Sequence, residues 1–291
     1  MATSDGVEVV AASGAELGEG PVWDTRTNRL VWVDILGRRI HLTSVRTATD
    51  EVLDVPLDVG AVVPRAAGGF VAALQDGFWV VGDGPAHRLT SVAQARPGLR
   101  FNDGKCDPSG RFWAGTMAYD KSAGGGALYR FDPDGRATCV LEGVTISNGL
   151  AWSADGRTMY YIDTPTQRVD AFSFEAATGE ISDRRPVIRF PVESGAPDGM
   201  TIDADGGLWV ALWGGGAVHR YVDGNLDRVI NLPVSQPTSC AFGGENLDEL
   251  YVTSAWAGLS EEERRLQPLA GALFRIRPGV RGVPSVAFGG I

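Results

Sequence analysis

The sequence is poor in cysteine, with only three such residues in 291. They are Cys106, Cys139 and Cys240, which are far apart, odd in number and without any CxxC spacing. That pattern argues against a disulfide framework and against a zinc site made of thiolates. We therefore expect all three cysteines to be small buried apolar residues.

Histidine and nucleophile motifs are equally scarce. The three histidines, His41, His87 and His219, fall outside the repeated polar positions described below, so we expect them to be surface or packing residues. The sequence contains no Gly-x-Ser-x-Gly segment. A Ser-His-Asp hydrolase of the usual strand-turn-helix type is therefore not indicated.

The chain also lacks long apolar runs and an excess of positive charge. No run approaches the roughly 20 residues that a membrane span needs, and the first residues do not resemble a secretory signal. The formal net charge is −10, which disfavours contact with a phosphate backbone. We therefore expect a cytoplasmic protein that contacts neither membranes nor nucleic acid.

Glycine, in contrast, is abundant, with 39 residues spread along the chain among valine and aromatic residues. One unit begins at Gly149 and reads as a strand, a turn at Asp155-Gly156, and two further strands. Similar units recur, and equivalent positions in them lie roughly 40 to 50 residues apart. These positions are Val22, Val62, Lys105, Leu150, Met200 and Cys240.

A repeat of this length, six times over, predicts an all-β fold: a six-bladed β-propeller with four-stranded antiparallel blades around a central channel. The units fill residues 1–291 as a single domain, with residues 1–8 expected to be flexible. Trp32, Trp113 and Trp209 occupy matching strand positions and should pack in the blade cores. Residues 261–266 could form one short helix in the last unit.

The innermost strands of a propeller line its channel, so polar residues just before each of them should meet at one mouth. Those positions are Glu19, Arg100, Asn102, Asp103, Asn148, Asp198, Gln236 and Thr238. Adjacent glycine or proline residues would let the backbone turn sharply there. Carboxylate and amide oxygens suit a hard cation such as Ca²⁺, Mg²⁺ or Mn²⁺, with Zn²⁺ or Fe²⁺ also possible. Each Asp-Gly or Asn-Gly pair alone is equally a turn former, so the shared register leaves both interpretations open.

The chain resembles the gluconolactonase/regucalcin family, also called the senescence-marker-protein and luciferin-regenerating-enzyme family. The matching motifs occur in the family's order along essentially the whole chain. They are LGEGPVW at 17–23, WVDI at 32–35, RFNDGK at 100–105, GTM at 115–117, GALY at 126–129, SNGL at 147–150, YID at 161–163 and PDGM at 197–200.

The resemblance implies one divalent metal ion near the channel axis, bound by Glu19, Asn148 and Asp198. It also implies that Arg100 and Asn102 contact the substrate. A family carboxylate that reaches a sugar hydroxyl corresponds here to Asp120, although animal relatives have the longer glutamate at that position. The implied activity is metal-dependent hydrolysis of sugar-acid lactones, with a small sugar lactone as the partner molecule.

In this mechanism the metal acts as a Lewis acid on the ester carbonyl, and Asp198 serves both as ligand and as general base for a water. Two alternatives stay open: a calcium-binding propeller without catalysis, and a paraoxonase-like esterase on the same fold. The sequence does not determine the lactone, the metal or the oligomeric state. It also does not determine whether Trp213 or Trp256 contacts substrate.

Overall fold

The structure, a computed structural model of the chain, describes residues 6–92 and 98–290. The described residues form six four-stranded antiparallel sheets, arranged as the blades of a six-bladed propeller. In five blades all four strands pair with their neighbours in sequence, and in the last blade the fourth strand comes from the start of the chain. The predicted fold class is therefore confirmed. The assignment of residues 1–291 to a single domain stays a prediction.

The blades follow one another in chain order after a first strand, β1 (Glu8–Ala11). Blade 1 contains β2 (Gly18–Asp24), β3 (Arg29–Asp34), β4 (Arg39–Ser44) and β5 (Thr49–Asp54). Blade 2 contains β6 (Val59–Pro64), β7 (Phe70–Leu74), β8 (Gly77–Val81) and β9 (His87–Ser91). Blade 3 contains β10 (Leu99–Cys106), β11 (Phe112–Ala118), β12 (Gly126–Phe131) and β13 (Ala137–Val144).

The second half of the chain continues the pattern. Blade 4 contains β14 (Ser147–Trp152), β15 (Thr158–Asp163), β16 (Arg168–Glu175) and β17 (Glu180–Arg189). Blade 5 contains β18 (Ala196–Ile202), β19 (Leu208–Trp213), β20 (Ala217–Val222) and β21 (Asn225–Asn231). Blade 6 contains β22 (Pro237–Gly243), β23 (Glu249–Ser254) and β24 (Leu273–Ile276). The predicted helix is confirmed as α1 (Glu261–Leu266), which begins at a capping box of Ser260 and Glu263.

The outer strand of blade 6 comes from the other end of the chain. Strand β1 pairs antiparallel with β24, and Glu8 lies opposite Arg275 and forms an ion pair with it. This pairing closes the ring and covers an otherwise open edge. Of the segment expected to be flexible, residues 1–5 lie outside the described residues, whereas Glu8 begins β1.

The three tryptophans predicted to lie in blade cores are buried. Two of them donate a hydrogen bond to a buried aspartate that also binds an arginine. The Asp203 carboxylate accepts hydrogen bonds from the Trp209 indole at 2.8 Å and from the Arg220 guanidinium at 2.7 Å. Asp107 does the same in blade 3, with Trp113 at 2.9 Å and Arg111. A buried aspartate therefore ties the end of an inner strand to the next strands of its blade.

All six inner strands break their regular pairing at the same level. The register shifts lie between Glu19 and Val22, Val59 and Ala61, Phe101 and Asp103, Ser147 and Leu150, Pro197 and Met200, and Pro237 and Ser239. A β-bulge leaves a residue out of the ladder and redirects its side chain. Four of the positions singled out in the sequence lie in these bulges, namely Asn102, Asn148, Asp198 and Thr238, and Glu19 borders a fifth.

Two of the glycines beside these polar residues, Gly149 and Gly199, do not act as the turn formers that the sequence suggested. Gly149 and Gly199 lie outside the left-handed region, unlike Gly20 at φ 52°. A Cβ on Gly149 would come within 2.8 Å of the Asp198 carbonyl oxygen, and one on Gly199 within 2.0 Å of the Ser239 hydroxyl oxygen. Glycine is needed there because the inner strands of adjacent blades approach closely.

One expectation about the cysteines is wrong. Cys106 and Cys240 are buried, as predicted, but Cys139 is exposed. It lies on β13, the outer strand of blade 3, which has solvent on one side. Separately, no helix within the described ranges 6–92 and 98–290 is long and apolar enough to cross a membrane.

We expect replacement of Asp203 by alanine to lower the free energy of unfolding by about 1–3 kcal/mol, because it leaves the buried Trp209 indole N–H without an acceptor and Arg220 with Asp227 as its remaining carboxylate partner. Urea unfolding followed by tryptophan fluorescence measures the change. Asp205→Ala, in the exposed turn two residues later, is the matched control and should change stability little. Equal losses in the two variants would contradict the role given to Asp203.

Candidate metal and substrate site

The bulges bring together a buried polar cluster at one mouth of the channel, on four different blades. Its members are all less than a tenth exposed: Glu19, Arg100, Asn102, Asp103, Asn148 and Asp198. Most sit on strands that are otherwise buried and apolar, so the bulge geometry alone turns them toward the axis. The structure therefore places five of the six predicted ligand and substrate residues in one cluster.

A chain of amide contacts crosses from blade 3 to blade 4. The side-chain amide of Asn102 donates to the Asn148 side-chain oxygen at 3.0 Å and to the Ser147 carbonyl at 2.8 Å. Arg100 in turn donates to the Asn102 side-chain oxygen at 2.7 Å. Asn102 thus links Arg100 to Asn148 through hydrogen bonds. Its contact also fixes the orientation of the Asn148 side-chain amide.

Two motif aspartates fix the strands from which the cluster projects. The carboxylate of Asp34 accepts hydrogen bonds from the backbone N–H groups of Glu16 and Leu17, just before β2. Asp163 accepts in the same way from Thr145 and Ile146, just before β14. Each aspartate ends the second strand of its blade and holds the start of the first. These contacts position Glu19 and Asn148.

The side chain of Asn148 is also tied to blade 5. Its amide donates to the Thr164 hydroxyl at 2.8 Å, and that hydroxyl donates to the Pro197 carbonyl at 2.8 Å. Pro197 directly precedes Asp198. The link therefore sets the spacing between the amide of blade 4 and the carboxylate of blade 5.

The surroundings of the cluster disfavour the charged form of its carboxylates relative to the protonated form. Burial, followed by the charges of Asp198 and Asp103, raises the pKa of Glu19 well above its ordinary value. Burial and the charge of Asp103 likewise raise the pKa of Asp198. Arg100 offsets part of this effect, but its direct hydrogen bonds go to Asn102 and to the Phe101 carbonyl. The described residues thus leave an excess of negative charge at this point.

Arg100 has three carboxylates and the phenol of Tyr119 near its guanidinium group. Burial lowers its pKa, and the nearby Tyr119, Glu19, Asp58 and Asp198 oppose that effect in this order. Even a lowered arginine pKa leaves the guanidinium charged at neutral pH. Arg100 is therefore a fixed cation beside the buried carboxylates, with unused donors on its fork.

Lys105 lies below the cluster, further along the channel. Its ammonium group donates to the Met200 carbonyl at 2.7 Å, and burial lowers its pKa while Asp103 and Cys240 oppose that shift. Lys105 thus interacts with the Met200 carbonyl and with the charge of Asp103. Its positive charge therefore offsets that of Asp103 more than those of Glu19 and Asp198.

The donor set fits a divalent cation. Glu19, Asp198 and the Asn148 side-chain oxygen are hard oxygen donors, and their negative charge is not balanced by a direct ion pair. In the described part of the chain, no three His, Cys, Asp or Glu side chains form a group that could hold an ion. A site made of two carboxylates and one amide needs only two such side chains, so it is compatible with that finding.

Asp120 does not join the cluster. It is exposed on the turn after β11, and its carboxylate accepts a hydrogen bond from the Ser122 backbone N–H at 3.0 Å. Blade 6 also contributes little, because the Thr238 hydroxyl is bonded to the Gly18 carbonyl and to Thr253. That position serves to join blade 6 to blade 1.

The aromatic and histidine candidates have packing partners. Trp213 is partly buried against the apolar core of blades 1 and 2, and Trp256 donates to the Gly14 carbonyl and lies under Arg264. His41 stacks on Trp32 with ring centroids 4.0 Å apart. The histidines all lie on third or fourth strands, away from the cluster.

Sequence reasoning missed Tyr119 and Asp58 at this mouth. The Tyr119 hydroxyl donates to the Asp58 carboxylate at 2.7 Å, although the two residues lie on different blades. Neither residue belongs to the set of repeated polar positions, so the sequence offered no signal for them. Asp103, in contrast, shares the repeated register with Asn102 and was visible there.

Together, the fold and the cluster define a six-bladed propeller with a hard-oxygen site beside an arginine at one mouth of its channel. A family model for the SMP-30/gluconolactonase/LRE-like region matches residues 17–256. The chain belongs to this family, as its motifs indicated.

Relatives match over almost their whole length. Regucalcin of Danio rerio is 41% identical, and the match covers 98% of each chain. A Bacillus subtilis protein named "putative sugar lactone lactonase YvrE" is 39% identical, over 96% of this chain and 97% of its own.

Among solved structures, luciferin-regenerating enzyme is 34% identical with a TM-score of 0.91, covering 97% of this chain and 99% of that one. A protein of Agrobacterium tumefaciens described as the calcium-binding protein regucalcin is 30% identical with a TM-score of 0.92, covering 96% of each chain.

We expect Glu19→Gln to stabilise the metal-free protein at pH 8. The raised pKa of Glu19 means that the folded state favours the protonated carboxyl, so stability is lost as pH rises from about 4.5 through the raised value. Each pKa unit corresponds to about 1.4 kcal/mol. Thermal unfolding in EDTA between pH 5 and 8 should show wild type falling relative to the variant as pH rises.

Glu16→Gln is the matched control for that measurement. It removes the same charge just before β2, but its carboxylate does not face Asp103 and Asp198. A gain at pH 8 in the control as large as in Glu19→Gln, or no gain in either, would rule out repulsion among the buried carboxylates.

Proposed function

We propose that this protein hydrolyses sugar-acid lactones with the help of one divalent metal ion. The observation that carries the proposal is the pair of buried carboxylates, Glu19 and Asp198, beside the Asn148 amide and Arg100 at the channel mouth. Membership of the SMP-30/gluconolactonase family and the name of the Bacillus subtilis relative support the same chemistry.

The ligands in this proposal are Glu19, Asn148 and Asp198. A divalent cation held by their oxygens would supply Lewis-acid polarisation of the ester carbonyl. Burial in a low-dielectric site strengthens the attraction between the two carboxylates and such an ion. The metal could be Ca²⁺, Zn²⁺, Mn²⁺, Mg²⁺ or Fe²⁺, because oxygen donors with one amide accept several hard or borderline ions.

Asp198 is the general base in this proposal. Its carboxylate has two oxygens, so one of them can bind the ion while the other accepts a proton from a water. It takes a proton from the water whose oxygen attacks the ester carbonyl. The ring C–O bond then breaks, and the ring oxygen receives the proton from Asp198 and becomes a hydroxyl, which regenerates the carboxylate. No covalent intermediate with the protein is needed.

Arg100 and Asn102 hold the substrate. The guanidinium of Arg100 has donors left over after its bonds to Asn102 and the Phe101 carbonyl, and it can bind the carboxylate that forms on ring opening. Asn102 places this arginine next to Asn148. A sugar hydroxyl contact from Asp120 remains part of the proposal, although its carboxylate is here turned to Ser122.

A second candidate is a calcium-binding propeller without catalysis. The observation that favours it is the likeness to regucalcin, one solved example of which is described as a calcium-binding protein. The same cluster would then bind the ion without turning over a substrate. Hydrolysis assays separate the two candidates, since only the first predicts acid release.

We expect purified protein to release acid from D-glucono-δ-lactone in a pH-indicator assay, and EDTA to abolish the release. Asp198→Asn should lower kcat/KM by about a thousandfold or more, since it removes the base and one of the two negative charges that hold the ion. Asp205→Asn, on the same blade but exposed, should keep the wild-type rate. A panel of aldonolactones and aryl esters with each metal identifies the ester class; no turnover of any lactone disproves the proposal.

We expect Glu19→Gln to weaken metal binding independently of any activity. Loss of a group that only orients a ligand costs roughly 10–100-fold in affinity, and loss of a direct ligand should cost at least as much. Titration calorimetry with Mn²⁺ and Ca²⁺ measures the effect, with Glu16→Gln as control. Unchanged affinity in Glu19→Gln would show that the cluster is not the metal site.

A further inference from the structure

Tyr119 is a large aromatic side chain that remains exposed at the mouth occupied by the polar cluster. It follows β11 directly, and its backbone N–H donates to the Gly98 carbonyl at 3.0 Å, beside the start of β10. Its residue surface is 43% exposed, whereas Arg100, the cluster residue whose charge it neighbours, is buried. The ring is therefore on the solvent side of the arginine.

The ring is fixed by a partner from another blade. The Tyr119 hydroxyl donates at 2.7 Å to Asp58, which is buried just before β6. The other oxygen of Asp58 accepts from the Arg38 guanidinium at 2.9 Å, from the turn between β3 and β4. Residues of blades 1, 2 and 3 thus hold one exposed ring in place.

The Tyr119 ring is held at two points, by the hydrogen bond of its backbone N–H and by that of its hydroxyl. A fixed ring loses no conformational freedom when a ligand packs on it, so the contact contributes fully to affinity. Its face is apolar, and sugar rings and their side chains present C–H groups that can pack on such a face. Arg100 pairs with Met117 across β10 and β11, so Tyr119, two residues further on, lies close to the arginine that is proposed to hold the substrate.

We propose that Tyr119, held by Asp58, is a specificity-determining residue that packs on the carbon chain of the lactone remote from the ester. The inference rests on the proposed lactonase function. It predicts a preference for six-carbon aldonolactones, whose extra hydroxymethyl carbon reaches the ring, over five-carbon ones. One additional buried carbon group corresponds to about fourfold in affinity.

The test compares kcat and KM of wild type, Tyr119→Ala, Tyr119→Phe and Asp58→Asn on D-glucono- and D-xylono-lactones. Tyr119→Ala should raise KM for the six-carbon lactone by about fivefold or more while kcat changes less than about twofold. It should also remove the six-carbon preference. Tyr119→Phe keeps the ring and should retain the preference, with a smaller rise in KM.

The Asp58→Asn variant tests the anchoring separately, and it should resemble Tyr119→Phe more than Tyr119→Ala. Leu226→Ala, at an exposed apolar residue on the outer strand β21, is the control for general effects of truncation. An unchanged six-carbon preference in Tyr119→Ala, or an equal loss of kcat in all variants, would overturn the inference.

A binding measurement distinguishes failure of this inference from failure of the proposed function. If wild type hydrolyses no lactone, the proposed function is wrong, and calorimetry with 1,5-anhydro-D-glucitol, which has no ester, then decides the role of Tyr119. Weaker binding by Tyr119→Ala than by wild type and Leu226→Ala supports it. Equal affinity of the three proteins overturns it.

Discussion

Each inner strand of this propeller leaves its ladder at the same level, and the candidate site exists because of that shared irregularity. In a regular strand, alternate side chains point into the blade core or the neighbouring blade. The bulges instead turn Glu19, Asn102, Asn148 and Asp198 toward the axis. Neighbouring inner strands approach so closely there that a Cβ would not fit, which explains glycine at positions such as Gly199. The glycines and the polar residues are therefore two parts of one arrangement.

The convergence of carboxylates opposes folding. Glu19, Asp103 and Asp198 are buried close together; burial raises the pKa of all three, and the charges of neighbouring carboxylates add to the shift at Glu19 and Asp198. The rest of the fold supplies the compensating stability. Buried aspartate-tryptophan-arginine contacts in blades 3 and 5 fix the sheets, and β1 closes the ring against β24. A rigid scaffold that tolerates a destabilised polar cluster is a common property of functional sites.

The mouth divides into two layers with different origins. The deep layer comes from the inner strands, and its positions repeat from blade to blade. It contains the groups proposed for metal binding and proton transfer. The outer layer comes from loops, where Tyr119, Asp58 and Arg38 meet through contacts between three blades. Loops vary without disturbing the sheets, so they are suited to select a substrate while the deep layer keeps its chemistry.

The sequence by itself determined the features that repeat or that depend on local chemistry. These are the six-bladed fold, the blade cores around Trp32, Trp113 and Trp209, the short helix α1, and the register that gathers Glu19, Asn148 and Asp198. All of these features except α1 recur roughly every 40 to 50 residues, and this periodicity makes them predictable without coordinates.

The tertiary structure alone decided what depends on contacts between distant segments. It placed β1 in the last blade, exposed Cys139 on an outer strand, turned Asp120 to solvent and joined Tyr119 to Asp58. It also showed that Gly149 and Gly199 permit close approach of strands. The physical reason is the same throughout. These properties depend on contacts between loops and strand edges that are distant in sequence, and the local sequence contains no signal for such contacts.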